Sequence, residues 1–141
     1  MAYDLSRFLK AQERDYDTAL KEIKAGHKSS HWIWYIFPQL GKLGFSSTAK
    51  FYGIADLGEA RAYLEDKLLR SRLLEISQAL LDLPSRDIDG IMGYPDNLKL
   101  CSSMTLFQLA EPTCDIFQKV LDKFFDGKPD EKTIALCKKG D

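Results

Sequence analysis

The chain has few of the residues that build disulfide frameworks and metal centres. Its 141 residues include only three cysteines and two histidines. Cys101, Cys114 and Cys137 are widely spaced and form no C-x-x-C pair, which indicates neither a disulfide framework nor a zinc site. Each cysteine is expected to be a small core residue instead. We therefore assign neither a metal nor a cofactor to the chain.

Long apolar runs and a strong excess of one charge are also missing. The longest apolar run, Trp32 to Phe37, is far shorter than the ~20 residues of a membrane-spanning helix. The 20 basic and 21 acidic residues leave a formal net charge of −1, which provides no electrostatic basis for binding nucleic acid or an anionic membrane. The opening segment, MAYDLSRFLK, does not resemble a secretory signal peptide. These absences predict a cytoplasmic protein with neither nucleic acid nor membrane as a partner.

The composition is that of an ordinary globular protein. Hydrophobic residues make up 45% of the chain and charged residues 29%. A chain of this length is expected to form a single domain over residues 1–141 and to bury about two-thirds of its unfolded surface.

The apolar residues recur mostly at helical spacing. Leu5, Phe8, Tyr16 and Ile23 mark one face of a helix over residues 5–25. Gln12 is the polar member of that face, either at an edge in water or directed into a pocket. Further helices are predicted within STAKFYGI, DLGEARAYL, DKLLRSRLLEISQALLDLP, DNLKLCSSMTLFQLA, TCDIFQKVLDKFF and PDEKTIALCKK, with DIDGIMGYPDN as a turn-rich connector. The expected fold is all-α, a compact bundle of about seven to eight helices joined by short irregular connectors.

The block SHWIWYIFPQL concentrates aromatic residues around a few polar ones. Its apolar run fits either a buried strand or a buried helix. A single strand has no partner in a helical protein, and Pro38 disfavours helical geometry at Phe37. We therefore favour a short helix that ends before Pro38.

Three groups of residues are candidates for chemistry, although phosphate-loop and hydrolase motifs are absent. Lys99, Ser102 and Ser103 share a helix face, and can activate a nucleophile or bind phosphate, or else combine a solvated lysine with small packing residues. His31 has the pKa range for acid–base catalysis or serves a structural hydrogen bond. Trp32, beside it, offers a flat face for a base or packs in the core. The loop GKLGFSS has backbone amides for an anion or is a plain connector.

The sequence also resembles a known family. The segments RFLKAQERDYDTALKEIKAGHKSSHWIWYIFPQL, LGFSSTAKFYGI, EARAYL, RSRLLE, KLCSSMTLF and FDGKPDEKT resemble the bacterial and fungal proteins grouped as domain of unknown function eighteen-ten, some of which carry the label calpastatin. The resemblance runs nearly end to end and implies a compact, largely helical domain.

The resemblance also implies a set of recurring polar positions. In this sequence they are Gln12, Lys28, His31, Gln39, Ser46, Arg72, Lys99, Ser102, Ser103 and Thr105. The chain departs from the family where a His-Pro pair usually follows AYL and a Gly precedes the Arg, because it has Asp66, Lys67 and Arg70 there. A site that needs that histidine cannot operate identically here.

These residue types predict recognition of an anionic small molecule, nucleotide-derived or phosphorylated and similar to ADP-ribose. We assign His31, Lys99 and Ser102 as catalytic residues if the protein is an enzyme. The alternative is a non-catalytic ligand-binding or protein-interaction domain. Ligand-binding roles go to the remaining recurring positions and one aromatic residue: Gln12, Lys28, Trp32, Gln39, Ser46, Arg72, Ser103 and Thr105. We expect His31, Gln39, Lys99 and Ser102 to line one cleft, with Trp32 or Trp34 in its wall.

Overall fold

The computed structural model describes residues 3–140, with the side chains of residues 3–138, and this part of the chain is built from helices. A short 3-10 turn, Gly41–Leu43, lies between the second and third α-helices. The α-helices are, in chain order, α1 (Ser6–Lys24), α2 (Ile33–Ile36), α3 (Ser47–Phe51), α4 (Leu57–Glu65), α5 (Lys67–Asp82), α6 (Ile88–Met92), α7 (Asp96–Ala110), α8 (Ile116–Phe125) and α9 (Glu131–Gly140). The predicted all-α fold is confirmed.

The described residues form nine α-helices, and the expected number of seven to eight was too low. The additional helix is α6, within the segment that the sequence indicated as a connector. Asp87 explains the difference, because its side chain accepts a hydrogen bond from the backbone N–H of Gly90 at 3.1 Å and so caps a short turn of helix.

The first two helices follow their sequence signals. Helix α1 ends near Gly26, which has a positive φ of 79° and takes the left-handed conformation that commonly ends a helix. Helix α2 occupies the aromatic block and stops at Ile36, so the prediction of a short helix before Pro38 is confirmed. Its four residues leave the rest of the block as irregular chain that leads to Gln39.

Two of the three residues that depart from the family pattern, Asp66 and Arg70, have structural roles here. Asp66 lies between α4 and α5, and its carboxylate accepts the backbone N–H of Leu69 at 3.0 Å, which caps α5. Arg70 makes two hydrogen bonds with the carboxylate of Glu111, at 2.8 and 2.7 Å. This pair joins α5 to the end of α7 and lowers the pKa of Glu111 through the hydrogen bonds from Arg70.

Helix α7 lies at the centre of the packing. It contacts α4, α8 and α9, and all of its residues from 102 to 107 are buried. The ring of Phe107 packs against Tyr63 and Phe117, with ring centroids 5.2 and 5.8 Å apart. One cluster of buried side chains extends from Phe8 in α1 to Cys137 in α9. Within residues 3–140, no helix has the length and apolar character needed to cross a membrane.

Candidate functional site

A groove of about 910 Å³ opens between three parts of the chain. One wall is formed by residues 43–49, the second by the first turns of α7, and the third by the connector from α8 to α9 together with the start of α9. Its volume is within the range of small-molecule sites. The groove brings together four residues that the sequence singled out: Gln39, Ser46, Lys99 and Ser102.

The first wall belongs to a closed loop of residues 41–53, which we call the groove loop. The loop is closed at its base by Ile54, whose backbone N–H donates to Gln39 O at 2.9 Å and whose carbonyl accepts from Gly41 N at 3.0 Å. Gly41 and Gly53 lie so close together that a Cβ on Gly53 would be 2.2 Å from the Cα of Gly41. Glycine at both positions therefore permits the closure that positions this wall.

Ser46 begins the short helix inside the groove loop. Its hydroxyl accepts the backbone N–H of Ala49 at 3.0 Å, which is a standard N-cap. The Ser46 side chain is exposed and lines the groove. Because the cap uses Oγ only as an acceptor, the hydroxyl proton can still be donated to a ligand.

Gln39 is, with Ser102, one of the two buried polar residues of the groove lining. Its exposed fraction is 9%, and within residues 3–138 its side-chain amide forms no hydrogen bond. Its amide atoms are not among the fully enclosed atoms without a partner, so the two donors and the acceptor of this amide are open to the solvent in the groove. The groove is the space from which a partner can reach them.

Ser102 and Thr105 of α7 form hydrogen bonds with Asp130, the residue that precedes α9. The Ser102 hydroxyl lies 3.1 Å from Asp130 Oδ2 and 3.2 Å from Leu98 O. The Thr105 hydroxyl donates to Cys101 O at 2.8 Å and accepts the backbone N–H of Asp130 at 2.9 Å. Asp130 thus joins both residues, and only Ser102 of the two lines the groove.

Lys99 and Lys28 share the carboxylate of Asp96. Lys28 Nζ lies 2.7 Å from one oxygen of Asp96 and 4.8 Å from the ring centre of Trp32, and its side chain is only 5% exposed. Lys99 Nζ lies 3.8 Å from the other oxygen and 5.3 Å from the ring centre of Trp34. Lys28 is therefore held in a buried ion pair, whereas Lys99 is held loosely and lines the groove.

The thiol of Cys101 also lines the groove. Burial, with a further contribution from the charge of Asp130, raises the pKa of Cys101 to about 11. The thiol is consequently protonated at neutral pH and is a poor nucleophile.

Gln12 and Arg72 lie together in a separate buried network. The Gln12 amide donates to Tyr35 O at 2.7 Å and faces the Tyr63 hydroxyl at 2.9 Å, while Arg72 Nη1 lies 3.5 Å from Gln12 Oε1. The guanidinium of Arg72 also lies 5.3 Å from the ring centre of Tyr16. This network joins α1, α2, α4 and α5, and neither Gln12 nor Arg72 lines the groove.

The structure does not bring His31 to the groove. Its side chain is exposed, and its backbone carbonyl lies 3.3 Å from the Tyr35 hydroxyl. Trp32, expected as a possible wall residue, is 1% exposed and belongs to the core, where its indole N–H donates to Glu22. Ser103 is fully buried, and its hydroxyl has no partner within residues 3–138.

Sequence reasoning missed several residues of the groove. Phe45 is 93% exposed at the rim, and Lys128 and Lys132 lie in the third wall beside Asp130. Lys128 and Lys132 lie in FDGKPDEKT and Phe45 lies in LGFSSTAKFYGI, two segments that contributed to the family resemblance, but none of these three residues was assigned a role. Across the residues that the structure describes, no group of three or more His, Cys, Asp or Glu side chains is arranged to hold a metal ion.

Comparisons with known proteins extend along nearly the whole chain. A family model described as protein of unknown function (DUF1810) matches residues 2–137. Among solved structures, the conserved hypothetical protein Rv1873 from Mycobacterium tuberculosis is 46% identical over 95% of this chain and 96% of its own, with a TM-score of 0.93. No curated protein matches the chain.

Proposed function

The chain belongs to the family described as protein of unknown function, DUF1810, and we propose that it binds a small anionic molecule, phosphorylated or nucleotide-derived, in the groove between the groove loop and α7. The observation that carries this proposal is Gln39. Its side chain is nine-tenths buried, lines the groove and lacks a hydrogen-bond partner among the described residues. A ligand in the groove would supply one.

The lining suits a molecule with a flat, apolar body. Phe45, Leu98 and Pro95 present carbon surface to the groove, and the first two are 93% and 52% exposed. Exposed aromatic and aliphatic side chains around a concave site gain free energy when a ring covers them. A nucleobase or a similar heterocycle has the shape to do so.

Lysines in the lining support the anionic part of the ligand. Lys128 and Lys132 form no ion pair within residues 3–138, and the ion pair of Lys99 with Asp96 is long, at 3.8 Å. An ammonium group binds phosphate as a point charge. The hydroxyl of Ser46, which also lines the groove, adds a donor.

The groove favours binding over catalysis. Ser102 is held between Asp130 and a backbone carbonyl, the Cys101 thiol has a raised pKa, and His31 lies outside the lining. The catalytic assignment of His31, Lys99 and Ser102 stays a prediction, and a search for turnover tests it.

The test is titration calorimetry with AMP, ADP-ribose and ribose 5-phosphate. Lys132→Ala and Lys99→Met are expected to weaken binding by about tenfold each, the loss of roughly 1.4 kcal/mol from one charged contact. Lys119→Ala is the matched control, because Lys119 pairs with Asp115 on α8 and does not line the groove. No saturable binding, or equal binding by all variants, would contradict the proposal.

The same samples separate binding from reaction. Mass spectrometry after long incubation is expected to return each compound unchanged. His31→Gln is expected to leave both affinity and melting temperature unaltered, since the His31 side chain is exposed and outside the groove. A product that forms with the unaltered protein but not with His31→Gln would establish the enzymatic alternative.

A protein-interaction domain is the second candidate, and a set of exposed large apolar side chains is the observation that favours it. Tyr94, Phe45 and Leu98 are 80%, 93% and 52% exposed, and apolar surface of this kind also marks protein-binding sites. Failure of all three phosphorylated compounds to bind would favour this candidate.

A further inference from the structure

The backbone carbonyl of Gln39 is already engaged at the closure of the groove loop, whereas its side-chain amide is not. The backbone carbonyl accepts the N–H of Ile54 at 2.9 Å, at the closure of the groove loop. The same closure fixes the next residues through the hydrogen bond from Gly41 to Ile54 at 3.0 Å. A side-chain amide on such a fixed segment presents its donors and acceptor at a defined place in the groove.

A primary amide in this position recognises a particular pattern on its partner. It offers an N–H donor beside a carbonyl acceptor, so its best complement is a flat edge with an acceptor beside a donor. The adenine edge has that pattern, and Gln pairs with adenine through two hydrogen bonds elsewhere in proteins. Because the amide can rotate by half a turn, it accepts either order of the two groups but discriminates against an edge that lacks a donor.

Apolar side chains that line the same groove strengthen this discrimination. Leu43 and Ala49 from the groove loop, with Leu98 from α7, line the same groove. These side chains present carbon to a ring and exclude water from its edge. A hydrogen bond that cannot be replaced by one to water counts for more in binding.

The charges of the lining indicate how many phosphate groups the ligand carries. The groove contains three ammonium groups and three carboxylates: Lys99, Lys128, Lys132, Asp126, Asp130 and Glu131. This balance matches a single phosphate better than a polyphosphate chain, whose additional charges would meet the carboxylates.

Building on the proposed function, we infer that the groove takes a nucleoside monophosphate whose base has a hydrogen-bond donor beside an acceptor, and that Gln39 recognises that edge. The lysines of the lining hold the phosphate. The side chains of Leu43, Ala49 and Leu98 hold the ring.

The experiment is a double-mutant-style cycle that removes first the amine of the nucleotide base and then the amide of Gln39. AMP and purine riboside 5′-monophosphate differ in the exocyclic amine. Titration calorimetry compares them on the unaltered protein, on Gln39→Leu, and on Gln108→Leu. Gln108 is the matched control because it carries the same amide but lies outside the groove lining.

The unaltered protein and Gln108→Leu are expected to bind AMP about tenfold or more tightly than the analogue, as expected for a site whose buried polar group loses its partner. Gln39→Leu is expected to bind both nucleotides equally, at the affinity of the unaltered protein for the analogue. Its melting temperature without ligand is expected to change little, because the Gln39 amide makes no hydrogen bond within residues 3–138 that the substitution would remove.

Two other outcomes overturn the inference, and they differ in whether the proposed function also fails. If ribose 5-phosphate binds through Lys132 but the unaltered protein does not distinguish the two nucleotides, Gln39 does not read the base and the proposed function survives. If no phosphorylated probe binds saturably, both fail. The comparison on the unaltered protein requires no variant, so it is decisive even where Gln39→Leu is unstable.

Discussion

At the scale of single residues, Glu22 fixes the start of the aromatic block. One of its carboxylate oxygens accepts the backbone N–H groups of Ser29 and Ser30 at 2.8 and 2.9 Å, and the indole N–H of Trp32 at 2.9 Å. The other accepts the Ser30 hydroxyl at 2.6 Å. Burial opposes the charge, but these four hydrogen bonds outweigh it and lower the pKa of Glu22 to about 2.

Glu22→Ala is expected to lower the free energy of unfolding by about 1.5–3 kcal/mol, since Trp32 and two backbone amides lose a charged acceptor. Urea unfolding measures this loss. Glu22→Gln retains an acceptor oxygen and is expected to cost less.

The pH dependence provides an independent readout of the same contact. The folded pKa lies below the ordinary value of 4.5, so the contribution of Glu22 to stability is complete above pH 4.5 and is lost as the pH falls towards 2. Glu22→Gln is expected to show a shallower loss of stability over that window. Identical profiles for the two proteins would contradict the assignment.

The sequence predicted part of the groove, and the reasons are residue-specific. Lys99 and Ser102 share a face because helical spacing is regular, so their proximity followed from the chain itself. Gln39 came from the family resemblance, and Ser46 came from the resemblance and from the loop GKLGFSS; no periodicity points to either residue. Lys132 was missed because its place in the groove depends on how α9 docks on α7 through Asp130, a contact between distant parts of the chain.

At the scale of elements, the groove loop was harder to predict than the helices around it. The helix over residues 5–25 has a continuous apolar face, and it appears as α1 with ends that differ by one residue from the prediction. The groove loop instead depends on a backbone contact between Gly41 and Gly53, which leaves no hydrophobic pattern in the sequence. The parallel bridge between Leu40 and Ile54 that accompanies this glycine contact also leaves no pattern in the sequence.

Gly53→Ala is expected to open the closure of the groove loop. The new Cβ would lie 2.2 Å from Cα and 2.9 Å from N of Gly41, both backbone atoms that cannot move aside as a side chain does. We expect a loss of stability of about 1–3 kcal/mol. Affinity for a groove ligand is also expected to fall, because the wall that carries Ser46 shifts.

Gly41→Ala is the graded comparison for this contact. Its Cβ would meet the Cα of Gly53 at 3.3 Å, which a small backbone adjustment relieves. Thermal unfolding is expected to rank the proteins as unaltered, Gly41→Ala and Gly53→Ala in order of falling stability. A Gly53→Ala protein as stable as the unaltered one, with full ligand affinity, would show that the close approach is not needed.

At the scale of the whole molecule, buried contacts link the groove walls to the rest of the core. Helix α7 packs against α8, α4 and α9, and α1 packs against α5, which in turn packs against α8. The buried cluster that extends from Phe8 to Cys137 connects these helices without a break. The prediction that residues 1–141 form one domain therefore has a concrete consequence for unfolding.

The chain is expected to unfold in a single cooperative transition. Far-ultraviolet circular dichroism follows all the helices, whereas tryptophan fluorescence follows only Trp32 and Trp34 beside α1 and α7. The two signals are expected to share one midpoint, because disruption of α7 removes the packing surface of α4, α8 and α9 together. Calorimetry is expected to give an unfolding enthalpy of roughly 100 kcal/mol near 60 °C, equal to the van't Hoff value. A fluorescence midpoint that precedes the loss of helix, or a calorimetric enthalpy well above the van't Hoff value, would mean that the region of α1 and α2 unfolds as a separate unit.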